Sequence, residues 1–471
     1  MKPITLDHIQ SATGASLLPP SLPSSRPPGE TLITSLCTDS RKIEPGCLFI
    51  AIRGETNDGH DYLLEAASKG AAAALVDHEP NDRQSNLHYL LVNDTRRALG
   101  QLAQTIRRDL SATVIGVAGS NGKTGTKRLI DAALRTTLAG SISPKSFNND
   151  IGVPLTIFAA HPTHDYLVVE IGTNHHGEIA RLAKIAAPDI GVITNCSAEH
   201  LEGLTDLDGV RRENANLILG MSPEGLLIVN GDDPALLDAT SHYKGSRITF
   251  GFSRYNHIFA AEVICCTDGT QFKLNGETEV FVPLLGRHTA ANALAAIAVG
   301  RRLGIADDRL IAGLATATGP EMRLQLSEID GISILNDAYN ANPASMRAAL
   351  ETLRDLPANG RRIAILGEMR ELGEWTEIYH REIGHIAANC CLDALICVGR
   401  SAGWIAESAL TAGMNPDCVT YYPDAATASA GVCRWLSSGD ILLFKASRAI
   451  GLEKIAKDIT TTLSNSLKAA G

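Results

Sequence analysis

The sequence predicts an α/β protein of three units: a small N-terminal one, a central one built on a mostly parallel sheet, and a doubly wound C-terminal one. Three observations predict it. The chain has 471 residues, and at about 150 residues per domain that is about three domains, which excludes a single small binding module. From about residue 94, apolar strand-like runs alternate with helical patterns, as they do where helices cover a mostly parallel sheet. After Gly319-Pro320 the alternation starts afresh. The divisions read as 1–94, 95–319 and 320–471.

In the N-terminal unit, short strands are expected at 47–52 and 88–92 among Gly-rich turns. Residues 16–29 carry Pro19, Pro20, Pro23, Pro27 and Pro28; proline supplies no ladder donor, so this stretch reads as a surface loop. The central unit opens with a helix over 95–110, a strand over 113–117, a Gly-rich turn and a helix over 124–138. Strands follow at 166–171, 190–194 and 226–229, with an Ala-rich helix at 289–302. In the C-terminal unit, strands at 332–335, 363–366, 394–398, 419–422 and 441–444 are separated by helices beginning near Pro343, Thr376, Ser401 and Ala425. No internal repeat of fixed period occurs. Ligands of such sheets bind at the carboxyl ends of the strands.

Composition narrows the class of function. At 44% hydrophobic and 20% charged residues, with 42 Gly and 20 Pro, the chain is an ordinary globular one. Its net charge of -10 repels polyanions and argues against nucleic acid as a partner, without arguing against a local phosphate pocket. No apolar run approaches the roughly 18 residues of a membrane helix, and residues 1–10, with Asp7 and His8, lack an apolar signal core. A cytoplasmic protein without membrane insertion is expected. The ten cysteines are scattered with no C-x-x-C pair, so reduced thiols are expected rather than a disulfide or metal framework.

Gly119-Ser120-Asn121-Gly122-Lys123-Thr124 carries the strongest chemistry. It lies between strand and helix, where glycines let backbone N–H groups approach phosphate. The helix start adds positive potential, Lys123 can neutralise β/γ-phosphate charge, and the Thr124 hydroxyl can ligate Mg²⁺. An ATP or GTP site follows, in a shorter G-x-x-G-K-[ST] form, because Val117 stands where the longer motif has glycine. Glu170 closes one strand and His200 follows another. Alone, Glu170 reads as a solvated rim residue and His200 as a hydrogen-bonding loop residue; beside a phosphate loop each reads equally as a ligand of a divalent ion. Asn148 and Asn149 are amide candidates for phosphate or acceptor, or simply Asx-turn residues. Asp337-Ala338-Tyr339-Asn340-Ala341-Asn342-Pro343 combines a helix cap with more polar side chains than capping requires. Lys445-Ala446-Ser447-Arg448 reads as an anion-binding turn or a basic surface turn.

Together these motifs resemble the Mur ligases over nearly the whole chain and in family order. Thr38-Asp39-Ser40-Arg41, Pro45-Gly46 and Asp58-Gly59-His60 look like the uridine-nucleotide end. Gly119 to Thr124 matches the ATP loop, and Ser146 to Pro154 the segment after its helix. Glu170-Ile171-Gly172, Asp232-Asp233-Pro234 and Gly286-Arg287-His288 through Asn292 follow, and Tyr339-Asn340-Ala341-Asn342-Pro343 resembles the branch that uses D-alanyl-D-alanine. The resemblance implies a UDP-substrate domain, a central P-loop ATPase and a C-terminal Rossmann-like domain that closes over the site. It further implies ATP and Mg²⁺, with UDP-N-acetylmuramoyl-tripeptide and D-alanyl-D-alanine as partners of a monomer, joined through an acyl phosphate. Lys123, His200 and Arg323 would then be catalytic. Gly119, Ser120, Asn121, Gly122, Lys123, Thr124, Gly125, Asn292, Arg323 and Asp337 would hold ATP, with Asn292 at adenine and Asp337 at ribose. Thr124 would ligate one Mg²⁺, and Glu170 and His200 the other. Ser40, Arg41, Asn148, Asn149, Tyr339, Asn340, Asn342, Lys445, Ser447 and Arg448 would meet substrate.

Two departures stand out. Asn214-Ala215-Asn216 occupies the place of the family's A-K-G-E segment, whose lysine is carbamylated in some members, so the second metal would lack that oxygen. Gly125 replaces the usual Thr or Ser at little expected cost. The rival readings are a sister ligase that adds the third amino acid, a folylpolyglutamate-type relative, and a nucleotide-binding protein without turnover. The five basic residues Arg41, Lys123, Arg323, Lys445 and Arg448 are expected to gather at one cleft.

Overall fold

The structure is a computed structural model that describes residues 2–18, 27–432, 436–459 and 461. Runs such as Leu167-Val168-Val169 and Ile190-Gly191-Val192-Ile193 are apolar on both faces, the mark of strands buried between helices, and they form the centre of the largest sheet. Its order is Thr278–Val282, Gly269–Leu274, Ile258–Cys266, Ser246–Gly251, Leu226–Asn230, Ile190–Ile193, Thr113–Ala118, Tyr166–Glu170, Gly140–Ile142. From Ile258–Cys266 to Gly140–Ile142 the strands run parallel, and Gly269–Leu274 and Thr278–Val282 add on with antiparallel pairing. Side chains alternate between the faces. Ile115 and Val117 pack with the helices Lys123–Leu134 and Arg287–Arg302, whereas Val114 and Ala118 pack with Thr95–Arg108 and Glu178–Ala186.

Register decides what reaches the carboxyl edge. Glu170 pairs with Val117 and Ile193 with Ala118. The strands therefore end level, and the loops after them open side by side. A second sheet, Gln325–Ile329, Ile332–Asn336, Ile441–Lys445, Arg362–Gly367, Ala394–Val398, Val419–Tyr422, is parallel except for its first strand. There Asn336 pairs with Phe444 and Leu366 with Lys445, so the loops at 337–342, 368–375 and 446–451 converge in turn. Leu201, Leu204 and Val210 of the central unit share a core with Met346, Met369 and Leu372 of the C-terminal one, which brings the two carboxyl edges together.

The N-terminal sheet, Ser16–Leu17, His88–Leu91, Ala73–Val76, Cys47–Ile50, Ser35–Cys37, is parallel apart from its first strand. Leu6, Ile9, Leu48 and Leu75 share a core with Leu99 and Leu102 of the helix Thr95–Arg108. The expected surface loop at 16–29 needs correction. Ser16 and Leu17 pair with Leu91 and Leu90, since these residues precede the first proline and keep their ladder donors. Pro28–Glu30 forms a 3₁₀ turn, while Pro19, Pro20 and Pro23 lie outside the described residues. The strand at 258–266 and the antiparallel strands at 269–282 and 325–329 add to the expected parallel sheets. Among the described residues no helix is long and apolar enough to cross a membrane.

Phe444 is fully buried between the central strands of the C-terminal sheet and its helices. Phe444→Ala is expected to cost about 3–5 kcal/mol, read as a lower denaturant midpoint of the C-terminal unit; an unchanged midpoint would contradict this packing.

Candidate active site

The phosphate loop begins where the strand Thr113–Ala118 ends, and its backbone demands glycine. Gly119 has φ +126° and Gly122 φ +83°, and a Cβ on Gly119 would fall 2.1 Å from Thr194 Oγ1. The neighbouring strand end fixes the loop. Thr194 Oγ1 and Asn195 Nδ2 donate to the Asn121 carbonyl at 2.6 and 2.9 Å. Asn121 N donates to Asn195 Oδ1 at 3.1 Å and Ser120 Oγ to the Ser197 carbonyl at 3.1 Å. The helix Lys123–Leu134 starts directly after Gly122 with no side-chain cap, so its first N–H groups and positive end face the crevice, as anion binding requires. Lys123 Nζ donates to the carbonyls of Gly119 and Ser120 at 2.5 and 3.0 Å and lies 4.0 Å from Glu199. Asn292 lies against the loop, 2.6 Å from where a Gly122 Cβ would sit and 3.3 Å from a Gly125 one.

Below the loop a buried polar cluster forms around Glu170. Its Oε2 accepts from Thr124 Oγ1 at 3.0 Å and Lys127 Nζ at 2.9 Å, its Oε1 accepts from Asn148 Nδ2 at 3.2 Å, and its N–H donates to Ser143 Oγ. Lys127 is 1% exposed and also donates to the carbonyls of Ser143 and Lys145. Burial pushes its ammonium below the ordinary lysine range, an effect that the Glu170 carboxylate partly opposes. A carboxylate has about four lone-pair sites; three donors leave one on Oε1. Because Thr124 gives its hydroxyl hydrogen to Glu170, it accepts from Ser146 Oγ at 3.5 Å and keeps a lone pair to offer. The Glu170 carboxylate and the Thr124 hydroxyl are oxygen donors of the kind Mg²⁺ takes, and the His200 imidazole lines the same crevice.

The C-terminal unit seats on this surface. Asn342 Nδ2 donates to Asn121 Oδ1 at 2.9 Å, and Asn121 Nδ2 donates back to Asn342 Oδ1 at 3.2 Å. The same Asn342 caps the helix Pro343–Asp355 in a capping box with Ser345. Arg323 lies 4.2 Å over the ring of Tyr339, a cation–π contact. Lys445 Nζ donates to Asp337 Oδ2 at 2.6 Å and to the Asn340 carbonyl at 3.0 Å, while Asp337 Oδ1 accepts from Leu324 N. Across the junction, His200 Nδ1 pairs with the Glu371 carboxylate, which the imidazole holds below the usual carboxylate range.

A crevice of about 1220 Å³ runs between the two units. It brings together Ser120 to Gly125, Asn148, Asn149, Glu170, His200, Asn292, Arg323, Asp337, Tyr339, Asn340, Asn342 and Lys445, with Gly119 beneath the loop. Ser447 and Arg448 line an adjoining cavity of about 170 Å³. Ser40 and Arg41 line neither; the exposed Arg41 is paired with Asp39 at 2.8 Å in a 3₁₀ turn of the N-terminal unit. The expected gathering of five basic residues is thus corrected: Lys123, Arg323 and Lys445 share the crevice, Arg448 the smaller cavity, and Arg41 stands apart. Nor is Lys445 part of a surface turn, since it ends the strand Ile441–Lys445 and is 2% exposed. Asn149 Oδ1 accepts from Ile151 N and Gly152 N, the Asx-turn arrangement. Asn214 is buried, donates to the Val210 carbonyl, and leaves Oδ1 without a partner; it does not line the crevice. Sequence reasoning missed Lys127, Thr194, Asn195, Ser197 and Glu371. Lys127 had a signal, one helical turn past Lys123 and on the buried side. Glu371 had none, for its partner is 171 residues away.

Comparison with known proteins agrees with this fold. Three family descriptions match in order: "Mur ligase family, catalytic domain" over residues 32–107, "Mur ligase middle domain" over 117–300, and "Mur ligase, glutamate ligase domain" over 322–448. The UDP-N-acetylmuramoyl-tripeptide–D-alanyl-D-alanine ligase of Bacillus subtilis is 39% identical over 432 residues, covering 91% of this chain and 94% of that protein. Among solved structures, MurF from Acinetobacter baumannii superposes with a TM-score of 0.87 at 28% identity, covering 98% and 99% of the two chains. MurF ligase from Thermotoga maritima in complex with ADP does so with a TM-score of 0.81 at 26% identity over 92% and 98%. The chain belongs to the Mur ligase family.

Proposed function

We propose that this chain is the ligase that joins D-alanyl-D-alanine to UDP-N-acetylmuramoyl-tripeptide at the expense of ATP, in the cytoplasmic stage of peptidoglycan precursor synthesis. We assign residues 1–94 to the uridine-nucleotide end, 95–319 to ATP and 320–471 to closure, in a monomer. The observation that carries the reading is the Asn121–Asn342 pair, which locks the phosphate loop onto the C-terminal unit. An amide ligase needs that closure. A carboxylate is a poor acylating agent, phosphorylation gives it a leaving group, and the acyl phosphate must then be shielded from water until the amine arrives.

The chain's residues divide this work. The loop amides after Gly119 and the start of the helix Lys123–Leu134 receive the ATP phosphates, and Lys123 offsets the charge that builds on the transferred phosphoryl group. Mg²⁺ held by Thr124, and a second ion held by Glu170 and His200, would supply further charge neutralisation there. Lys127, Thr124 and Asn148 keep the Glu170 carboxylate in one orientation with a lone pair to offer. Asn292 faces adenine. Asp337 has lone pairs left for a ribose hydroxyl, and Arg323, held flat by Tyr339, reaches phosphate. Asn148, Asn149, Tyr339, Asn340, Lys445, Ser447 and Arg448 surround the peptide and the dipeptide. Ser40 and Arg41 serve the uridine nucleotide, the far end of a long substrate, which accounts for their distance from the crevice.

Phosphate release, measured with ATP, Mg²⁺, the UDP-muramoyl tripeptide and a panel of amines, is expected to require D-alanyl-D-alanine; release that ignores the dipeptide would refute the assignment. Lys123→Ala should lower turnover by about a hundredfold or more, and near-full activity would remove Lys123 from phosphoryl transfer. Lys127→Met should leave the protein folded by circular dichroism yet raise the Mg²⁺ needed for half-maximal rate by about tenfold. The same Mg²⁺ dependence as the parent would mean that Lys127 does not orient Glu170.

A further inference from the structure

The contact between His200 and Glu371 joins two units of the chain at one imidazole. His200 Nδ1 faces the Glu371 carboxylate, and Nε2 lies 3.9 Å from Glu199 Oε2. An imidazole that carries its hydrogen on Nδ1, toward a carboxylate, presents an unprotonated Nε2 with a lone pair to offer. Carboxylate partners of this kind orient metal-bound histidines widely. Both residues have left-handed backbones, φ +50° at His200 and φ +63° at Glu371. Non-glycine residues adopt that conformation uncommonly, and positions strained in this way cluster at functional sites. The surroundings are visible here: Glu202 N donates to the Glu371 carbonyl at 3.3 Å, and Leu201 and Leu204 pack in one core with Met369 and Leu372.

We infer that Glu371 is a positioning residue for His200, so that the second divalent-ion site is complete only when the C-terminal unit is docked on the central one. This rests on the reading of His200 as a metal ligand. It couples metal affinity to closure: an open chain keeps Glu170 and its bonded partners, all of which are central, but loses the carboxylate that fixes the imidazole.

The test is Mn²⁺ binding, followed by electron paramagnetic resonance on the full chain with a non-hydrolysable ATP analogue. Glu371→Ala is expected to weaken Mn²⁺ about 10- to 100-fold. Glu371→Gln, whose amide oxygen can still accept from Nδ1–H, should recover part of that loss and guards against a folding defect in the alanine variant. His200→Ala should weaken Mn²⁺ as well, and the double variant no further than His200→Ala alone. Wild-type Mn²⁺ affinity in both Glu371 variants, with weakening in His200→Ala, would overturn the inference. Unchanged affinity in His200→Ala would instead overturn the metal-ligand reading beneath it.

Discussion

Two side-chain amides, Asn121 and Asn342, bond reciprocally across the boundary between the central and C-terminal units, and the working arrangement of the molecule depends on them. Each has a second task. Asn121 belongs to a loop already held by Thr194 and Asn195, and Asn342 caps its own helix through Ser345. The pair thus connects two positions that are rigid beforehand, so little ordering remains to be done when the units meet. The phosphate loop, the strand ends of the C-terminal sheet and the Tyr339 segment are placed relative to one another by this contact and by the shared core of Leu201, Leu204, Met369 and Leu372.

Charge follows the same geometry. The chain carries a net -10, yet ATP and the UDP-linked tripeptide assigned to it are anionic. Lys123 and Arg323 face the crevice as cations for those phosphates, while two further lysines are buried against carboxylates, Lys127 with Glu170 and Lys445 with Asp337. Buried pairs of this kind contribute little net stability, because desolvation consumes much of their attraction. What they supply is orientation: the Glu170 carboxylate and the Asn340 carbonyl each stand in one place because a lysine holds them there.

Much of this was legible in the residues. Strands at 113–117, 166–171 and 394–398 appear within a residue of their observed ends, because continuous apolar runs flanked by glycine and Asx residues leave few alternatives. Gly119 to Thr124 could be read as a phosphate loop on spacing alone. The hairpin 269–282 was missed although Asn275-Gly276 between Phe272-Lys273-Leu274 and Val280-Phe281-Val282 signals it, whereas the strand at 258–266 alternates weakly and ends in Cys265-Cys266. Lys127 and Glu371 act through partners 43 and 171 residues away, and no local pattern records that. The shared cleft expected for the five basic residues was misjudged because the folded chain sets Arg41 against Asp39 in the N-terminal unit, away from the crevice.

The central claim is that this closed crevice passes a phosphoryl group to the tripeptide's terminal carboxylate before the amide forms. Label that carboxylate with ¹⁸O, run one turnover with ATP, Mg²⁺ and D-alanyl-D-alanine, and analyse the inorganic phosphate released. The account predicts one ¹⁸O in each phosphate, carried over as the former bridging oxygen of the acyl phosphate. Phosphate that forms alongside product without the label would contradict it.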